Sequence, residues 1–152
     1  MPSFVRVFIR NAQGHVLVVI HKDTRGTLNL PGGKVETGES PVSAARREVM
    51  EETGLMLKSI QLAHEEQFQL NNDTWQGYFF EATPLEQQAY NMEPEKLSRV
   101  EFVDERLLTR RGHKTFLVSV LERLKTGDDE IEICQKELSL PFPSQIFFKN
   151  SG

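Results

Sequence analysis

The chain has 152 residues, of which 38% are hydrophobic and 26% are charged, so its composition fits one folded domain and excludes a disordered chain. Its 18 basic and 22 acidic residues give a net charge of −4, which excludes the broad basic surface that grips duplex nucleic acid through its phosphates. The longest apolar run, residues 16–20, is far shorter than the ~20 residues of a membrane-spanning helix.

The first part of the chain predicts β-strands and a glycine turn. Residues 4–10 and 15–21 are rich in Val, Ile and Phe, and the turn-forming residues 11–14 between them are typical of a β-hairpin. After a polar loop, residues 28–30 lead into the Pro-Gly-Gly sequence at 31–33. This sequence predicts a tight turn whose backbone can approach another group closely.

A helix is predicted at residues 41–53. Ser40 is a favourable N-cap, Pro41 suits the first helical position, and Gly54 is a typical C-terminal stop. At about 100° per residue, the side chains that share the stripe expected to be buried are Val42, Ala45, Val49 and Thr53.

Strands and a second helix follow. The later elements are predicted in this order: a long antiparallel strand pair at 55–70 and 74–83, a strand at 99–103, a helical turn at 105–110 and an amphipathic helix at 113–125. The amphipathic pattern of the last element predicts that it covers a sheet. The stretch from residue 128 onward matches no element pattern.

Acidic side chains gather on the predicted helix at 41–53. Glu48 and Glu52 are one turn apart beside the buried stripe, and Glu51 lies further round, next to Arg47. Acids at these spacings repel each other, so they are typical of a solvated face unless a cation neutralises them. Oxygen ligands without a His or Cys cluster favour Mg²⁺, with Mn²⁺ as the alternative ion. The turn at 32–33 can add a backbone carbonyl.

The turn and the helix together match a longer motif. The spacing Gly-x5-Glu-x7-Arg-Glu-aliphatic-x-Glu-Glu-x-Gly-aliphatic is filled by Gly33, Glu39, Arg47, Glu48, Val49, Glu51, Glu52, Gly54 and Leu55. This motif resembles the Nudix box without a departure. The resemblance implies an α/β fold, the Nudix α/β/α sandwich, with a mixed sheet and the box helix beside the glycine turn. It implies a Nudix hydrolase domain at 1–127, and we expect the C-terminal extension at 128–152 to pack on the same domain.

The resemblance to the Nudix family also implies an activity and its residues. Nudix proteins typically hydrolyse a pyrophosphate bond in a nucleoside diphosphate-linked substrate with a divalent metal. The resemblance assigns the metal ligands to Gly32, Glu48, Glu51 and Glu52. It assigns catalytic roles to Arg47, Glu48, Glu51 and Glu52. It assigns supporting roles to Gly33 and Glu39. Arg47 would orient Glu51. The acid that takes a proton from the attacking water stays open among Glu51, Glu52 and an acid outside the box.

An acidic segment, Glu93-Pro94-Glu95-Lys96, precedes the strand predicted at 99–103. A segment of this form occurs at a similar place in Nudix triphosphatases, where its first acid can approach the metals. Glu93 is therefore a further predicted metal ligand. The alternative is that Glu93 and Glu95 belong to an ordinary solvated loop.

The substrate residues are predicted from their position and chemistry. Asn29 precedes the glycine turn and could bond a base edge, and Lys34 follows the turn, where it could meet a phosphate or lie on the surface. The aromatic candidates for stacking on a base are Phe68, Trp75, Tyr78 and Phe79. Core packing is the alternative role of each aromatic side chain.

Two marks of Nudix subclasses are missing from the sequence. Leu70 stands where ADP-ribose hydrolases carry a proline, and Asn72 and Asp73 lie where dinucleoside polyphosphate hydrolases carry a tyrosine. These absences favour a nucleoside triphosphate, or a modified one, that is cut to a monophosphate and pyrophosphate. The alternatives are an ADP-ribose or nucleotide-sugar pyrophosphatase, an RNA decapping enzyme, or a nucleotide-binding sensor without turnover.

The expected partners are a small nucleotide and Mg²⁺, with no membrane and no duplex nucleic acid. We expect a monomer or a homodimer. The single cysteine, Cys134, cannot form an internal disulfide, and no secretion leader is recognisable at residues 1–4. These features predict a cytoplasmic protein.

Overall fold

The computed structural model describes residues 1–22, 28–70 and 72–104. The elements are β1 (Ser3–Ile9), β2 (Val16–His21), β3 (Leu28–Asn29), β4 (Gly32–Lys34), α1 (Pro41–Thr53), β5 (Leu57–Leu70), β6 (Asp73–Pro84) and β7 (Leu97–Val103). Within these ranges, no helix has the length and apolar character needed to cross a membrane. The predictions for 105–110, 113–125 and the extension from 128, with Cys134, lie outside the described residues.

The described strands form two sheets. β4, β1, β6 and β5 form a mixed sheet in that order, in which β1 runs parallel to β6 and antiparallel to β4. β3, β2 and β7 form an antiparallel sheet in that order. A mixed sheet that carries a helix confirms the predicted α/β class.

The prediction that residues 4–10 and 15–21 form a β-hairpin is wrong. β1 and β2 belong to different sheets, and they are joined in the described structure by an isolated bridge between Arg10 and Val16. Both strands are buried at successive positions rather than at every second one, so each lies between two layers. A strand that is buried on both faces shows a continuous apolar run, and such a run does not indicate which strand is its partner.

The later strands follow the predictions. The strand pair predicted at 55–70 and 74–83 is confirmed as the antiparallel hairpin of β5 and β6. The strand predicted at 99–103 is confirmed as β7, which begins two residues earlier, at Leu97. In the mixed sheet, β1 pairs with β6 of this hairpin on one side and with β4 on the other. The glycine turn at the start of β4 is therefore positioned by β1.

The two faces of the mixed sheet carry different side chains, because successive residues of a strand point to opposite faces. On one face, Val5 and Val7 of β1 pack in a core cluster with Val49 of α1. The opposite face carries buried rings with centroids 5.7 to 6.4 Å apart, those of Phe4, Phe68, Trp75 and Phe79. We call these four side chains the ring cluster.

Candidate active site

The ends of α1 are set by local chemistry, as the sequence predicts. The Ser40 hydroxyl accepts a hydrogen bond from the Ser43 N–H at 3.2 Å. At the other end, Gly54 adopts the left-handed conformation, with φ of 73°, and its N–H donates to the Met50 carbonyl at 3.0 Å. These caps confirm the helix predicted at 41–53 and set its two ends.

The buried face of α1 is rotated from the predicted stripe. Its buried residues are Ala44, Ala45, Val49, Glu52 and Thr53. Val42 is 39% exposed, so the prediction that it is buried is wrong. Because α1 packs mainly against β1 and β4, the face that meets the glycine turn is the buried one. This rotation brings a carboxylate, that of Glu52, into the interior.

The glycine turn brings the backbone of β4 against two acids of α1. The Gly32 N–H donates to Glu52 Oε1 at 2.8 Å. A Cβ on Gly33 would stand 2.6 Å from the Glu48 carboxylate, so the absence of a side chain there makes room for that carboxylate. Two acids one helical turn apart therefore meet one turn of the backbone.

Arg47 donates hydrogen bonds to several acids around the glycine turn. Its Nε and Nη2 donate to the two carboxylate oxygens of Glu39 at 2.7 and 2.9 Å, and its Nη1 donates to Glu48 at 2.9 Å. Glu51, the partner expected from the sequence, is a longer contact at 3.3 Å, and Nη2 also reaches the Lys34 carbonyl at 3.0 Å. Hydrogen bonds from Arg47 lower the pKa of Glu39. Arg47 thus holds Glu48 and Glu39 more closely than Glu51.

Arg47→Ala is expected to lower turnover more than stability. Glu48 would lose the donor that orients it, and we expect a loss of about tenfold or more in kcat. Arg47 is partly exposed, and ion pairs of this kind contribute about 1 kcal/mol or less to folding. Arg46→Ala removes the neighbouring arginine, whose Nη1 donates to the Leu57 carbonyl at 3.3 Å, and serves as the control in urea unfolding and kinetics. Severe destabilisation with full activity per folded molecule would contradict the orienting role.

The two inner acids have raised pKa values. Burial raises the pKa of Glu48 to about 7, against the lowering effect of Arg47. Burial and the neighbouring Glu48 also raise the pKa of Glu52 above its ordinary value. Because a carboxylate must be deprotonated to bind a metal, these groups would exchange protons for a cation near neutral pH. Glu51 lies further out on α1, with its side chain 49% exposed.

The residues at the turn fit a hard divalent cation. In residues 1–22, 28–70 and 72–104, no three His, Cys, Asp or Glu side chains converge as a preformed metal site. Mg²⁺, however, takes one or two carboxylates and keeps several waters. Glu48 and Glu52 on either side of the Gly32–Gly33 backbone supply such a set of oxygen donors.

Glu93 lies in a loop that packs on the carboxyl end of α1. The N–H of the preceding residue, Met92, donates to the Glu52 carbonyl at 3.1 Å. The Glu93 carboxylate is close enough to Glu52 to contribute to its raised pKa, and it lies 3.6 Å from Lys96 Nζ. The loop therefore brings Glu93 towards the inner acids, whereas Glu95 is exposed.

The aromatic residues predicted for the substrate lie on two faces of the mixed sheet. Phe68 and Trp75 belong to the ring cluster, and they are 5% and 4% exposed. Tyr78 packs against the core cluster on the α1 side. The structure therefore separates Tyr78 from Phe68 and Trp75, because the sheet lies between them.

The two polar substrate candidates flank the glycine turn. Asn29 is 2% exposed, and its side-chain oxygen accepts a hydrogen bond from the Leu30 N–H at 2.9 Å. Lys34 is exposed, and its backbone carbonyl accepts the bond from Arg47 described above. The six residues from Asn29 to Lys34 thus join an interior amide to a surface cation.

Two charged or titratable residues near this segment were missed by sequence analysis. Arg6 is fully buried in β1, and its Nη1 donates to the Leu30 carbonyl at 3.0 Å. Burial, Arg6 and Lys96 lower the pKa of His21 to about 4, so this imidazole is neutral near pH 7. The available signal was an arginine in the middle of an apolar strand, Ser3–Ile9.

Comparison with known proteins decides the family. A model of the NUDIX domain matches residues 2–124. The chain belongs to the NUDIX domain family. The match confirms the family predicted from the box. Nudix hydrolases generally use divalent metals and act on small nucleotides.

Relatives of known name agree with this assignment. The chain is 37% identical over 76 residues to the 8-oxo-dGDP phosphatase NUDT18 of Mus musculus, a match that covers 49% of this chain and 23% of that protein. It is 32% identical over 75 residues to the 8-oxo-dGTP diphosphatase of Haemophilus influenzae, covering 47% of this chain and 55% of that protein. The matches thus span between 23% and 55% of these relatives.

A solved structure agrees with the fold. The crystal structure of the MutT protein from Methanosarcina mazei Go1 is similar with a TM-score of 0.67 and 25% sequence identity. The similarity covers 84% of this chain and 95% of that one. The Nudix fold predicted from the box is therefore confirmed.

Proposed function

We propose that this Nudix hydrolase uses Mg²⁺ to cut a nucleoside triphosphate, or a modified one, to a monophosphate and pyrophosphate. The observation that carries the proposal is the approach of Glu48 and Glu52 to the Gly32–Gly33 turn. The similar proteins named for 8-oxo-dGDP and 8-oxo-dGTP support a nucleoside polyphosphate as the substrate class. Mn²⁺ is the alternative ion, because it shares the preference of Mg²⁺ for oxygen ligands.

Each residue of the turn and helix has a role in this proposal. Glu48, Glu52 and the Gly32 carbonyl would hold the cation, and Glu51 and Glu93 would be its further ligands. Bound there, Mg²⁺ would screen the polyphosphate charge and lower the pKa of the attacking water. Arg47 holds Glu48 in place.

The chemical step follows from this placement. A carboxylate of the site takes the proton of the water, whose oxygen forms a bond to the phosphorus next to the nucleoside. The bond from that phosphorus to the bridging oxygen breaks, and pyrophosphate leaves. A cation held at the turn would stabilise the charge that develops on the leaving group.

The nucleoside is assigned to the segment that precedes the glycine turn, where Asn29 supplies an amide for a base edge. Phe68 and Trp75 are 5% and 4% exposed in the ring cluster, so they present little surface for base stacking. Lys34 lies beside the turn on the surface, where an ammonium group suits a phosphate. Tyr78 lies on the other face and is left out of this assignment.

Product analysis in oxygen-18 water tests the proposed reaction. The panel contains nucleoside triphosphates with 8-oxo-dGTP, nucleoside diphosphates, ADP-ribose, nucleotide sugars and 5′-triphosphate RNA, each with MgCl₂ or with EDTA. We expect preference for a triphosphate, Mg²⁺ dependence, and oxygen-18 in the monophosphate. Release of a single phosphate, or preference for another substrate class, would refute the proposal. Tight binding without turnover would favour a nucleotide sensor.

The proposal extends to the setting of the protein. A small nucleotide is the partner, and the acidic net charge of −4 does not favour a long nucleic acid. We propose a cytoplasmic protein that acts as a monomer or homodimer. Size-exclusion chromatography with light scattering and fractionation of cells test these two statements.

A further inference from the structure

Arg6 is a buried cation in an otherwise apolar strand. It is 0% exposed and stands in β1 between Val5 and Val7, which belong to the core cluster. In the pairing of β1 with β4, its Cα lies opposite that of Gly32. A buried guanidinium is costly unless hydrogen bonds and an opposite charge compensate it.

The side chain of Arg6 reaches the same turn that Glu52 holds. Arg6 Nη1 donates to the Leu30 carbonyl at 3.0 Å, and Glu52 Oε1 accepts from the Gly32 N–H at 2.8 Å. The buried guanidinium of Arg6 and the buried carboxyl group of Glu52 therefore hold the two ends of one three-residue segment. Glu52 is 3% exposed, so solvent screens little of the attraction between them.

The charges around Arg6 agree with this arrangement. Glu52 and Glu48 both raise the pKa of Arg6, which burial lowers to about 10, so the side chain stays charged near pH 7. Burial and Arg6 lower the pKa of His21, so its imidazole is neutral near pH 7. Among the described residues that act on it, the acids of α1 are the opposite charges.

We propose that Arg6 is a positioning residue that acts as the counter-charge of Glu48 and Glu52 and holds the Leu30–Gly32 segment ready before a cation binds. The inference rests on the proposed use of Mg²⁺ at these acids. Without Arg6, the metal-free protein would hold two buried carboxylates with less compensation, and a bound cation would supply what is missing. Folding should then depend more strongly on Mg²⁺, because a ligand that binds the native state stabilises it.

The experiment compares thermal unfolding in EDTA with unfolding in saturating MgCl₂, without substrate. Arg6→Met removes the charge and keeps much of the volume, whereas Arg6→Lys keeps the charge. Phe8→Leu is the matched control, because Phe8 is 0% exposed on the same face of β1 and its truncation costs packing without removing a charge.

The expected result is a difference in the rise of Tm that Mg²⁺ causes. Arg6→Met should show a rise about twofold larger than the wild type, or should fold in Mg²⁺ alone. Arg6→Lys and Phe8→Leu should keep the wild-type rise, even where their Tm in EDTA is lower. An unchanged or smaller rise in Arg6→Met, an enlarged rise in Arg6→Lys, or failure of Arg6→Met to fold in saturating Mg²⁺ would overturn the inference.

The wild-type protein separates this inference from the proposed function. If Mg²⁺ does not shift the wild-type Tm, the proposed metal site fails, whatever the variants do. If Mg²⁺ shifts the wild type and Arg6→Met equally, the metal site stands and the counter-charge role of Arg6 fails.

Discussion

Glu52→Gln is expected to lower turnover by about two or more orders of magnitude at saturating Mg²⁺ while the protein stays folded. The amide keeps the size of the side chain and an oxygen that can accept the bond from Gly32. It removes the negative charge that would hold the cation. Because the side chain is 3% exposed, solvent cannot replace that charge.

Steady-state kinetics and circular dichroism on the same preparation measure this effect. Glu65→Gln is the matched control, since Glu65 is an exposed acid on β5 whose carboxylate accepts a bond from Gln76 at 3.3 Å. It should leave turnover unchanged. Wild-type turnover in Glu52→Gln would remove the main support for the metal site on α1.

Gly32→Ala should destabilise the fold by about 3 kcal/mol or more, because its methyl group must fit where paired strands leave no space. A Cβ at this position would stand 2.0 Å from the Val5 carbonyl oxygen, which is backbone and cannot turn aside. Separation of β4 from β1 would also move the Gly32 N–H, which donates a hydrogen bond to Glu52. We expect lost activity together with lost stability.

Urea unfolding of Gly38→Ala supplies the comparison. Gly38 has a positive φ of 80°, but a Cβ there would meet nothing within 4 Å. Its substitution should therefore cost about 1–2 kcal/mol, from backbone conformation alone. Equal stabilities of the two variants would show that the close approach of Gly32 to Val5 is unimportant.

The helix and its motif could be predicted because their causes are local. Ser40 and Gly54 cap α1 through bonds to residues three or four positions away, so the bounds follow from neighbouring sequence. The box placed Glu48 and Glu52 one turn apart in the same way. The face of α1 that is buried could not be predicted as well, because it depends on where β4 lies, and Val42 was misplaced for that reason.

The arrangement of the strands depends on distant partners, and local patterns missed it. β1 is apolar throughout, which suits a hairpin with β2 as well as the interior of a mixed sheet. The aromatic candidates are a different case, because Trp75 and Tyr78 are three positions apart in one strand and the alternation of side chains places them on opposite faces. The local pattern does not show which of the two faces meets α1. Arg6 was overlooked because its partner acids are remote in sequence.

The parallel pairing of β1 with β6 has a consequence for the time course of folding. Ser3 lies opposite Gln76 and Ile9 opposite Ala82, so partners that are 73 positions apart in sequence must meet, and the chain between them must be looped out first. The hairpin of β5 and β6 forms from residues that are close in sequence. Helix α1 likewise forms from its own residues and its two caps. The glycine turn, however, takes its place against β1. During synthesis, the box helix can therefore exist before the proposed cation site does, and the proposed activity should be among the last properties that a nascent chain acquires.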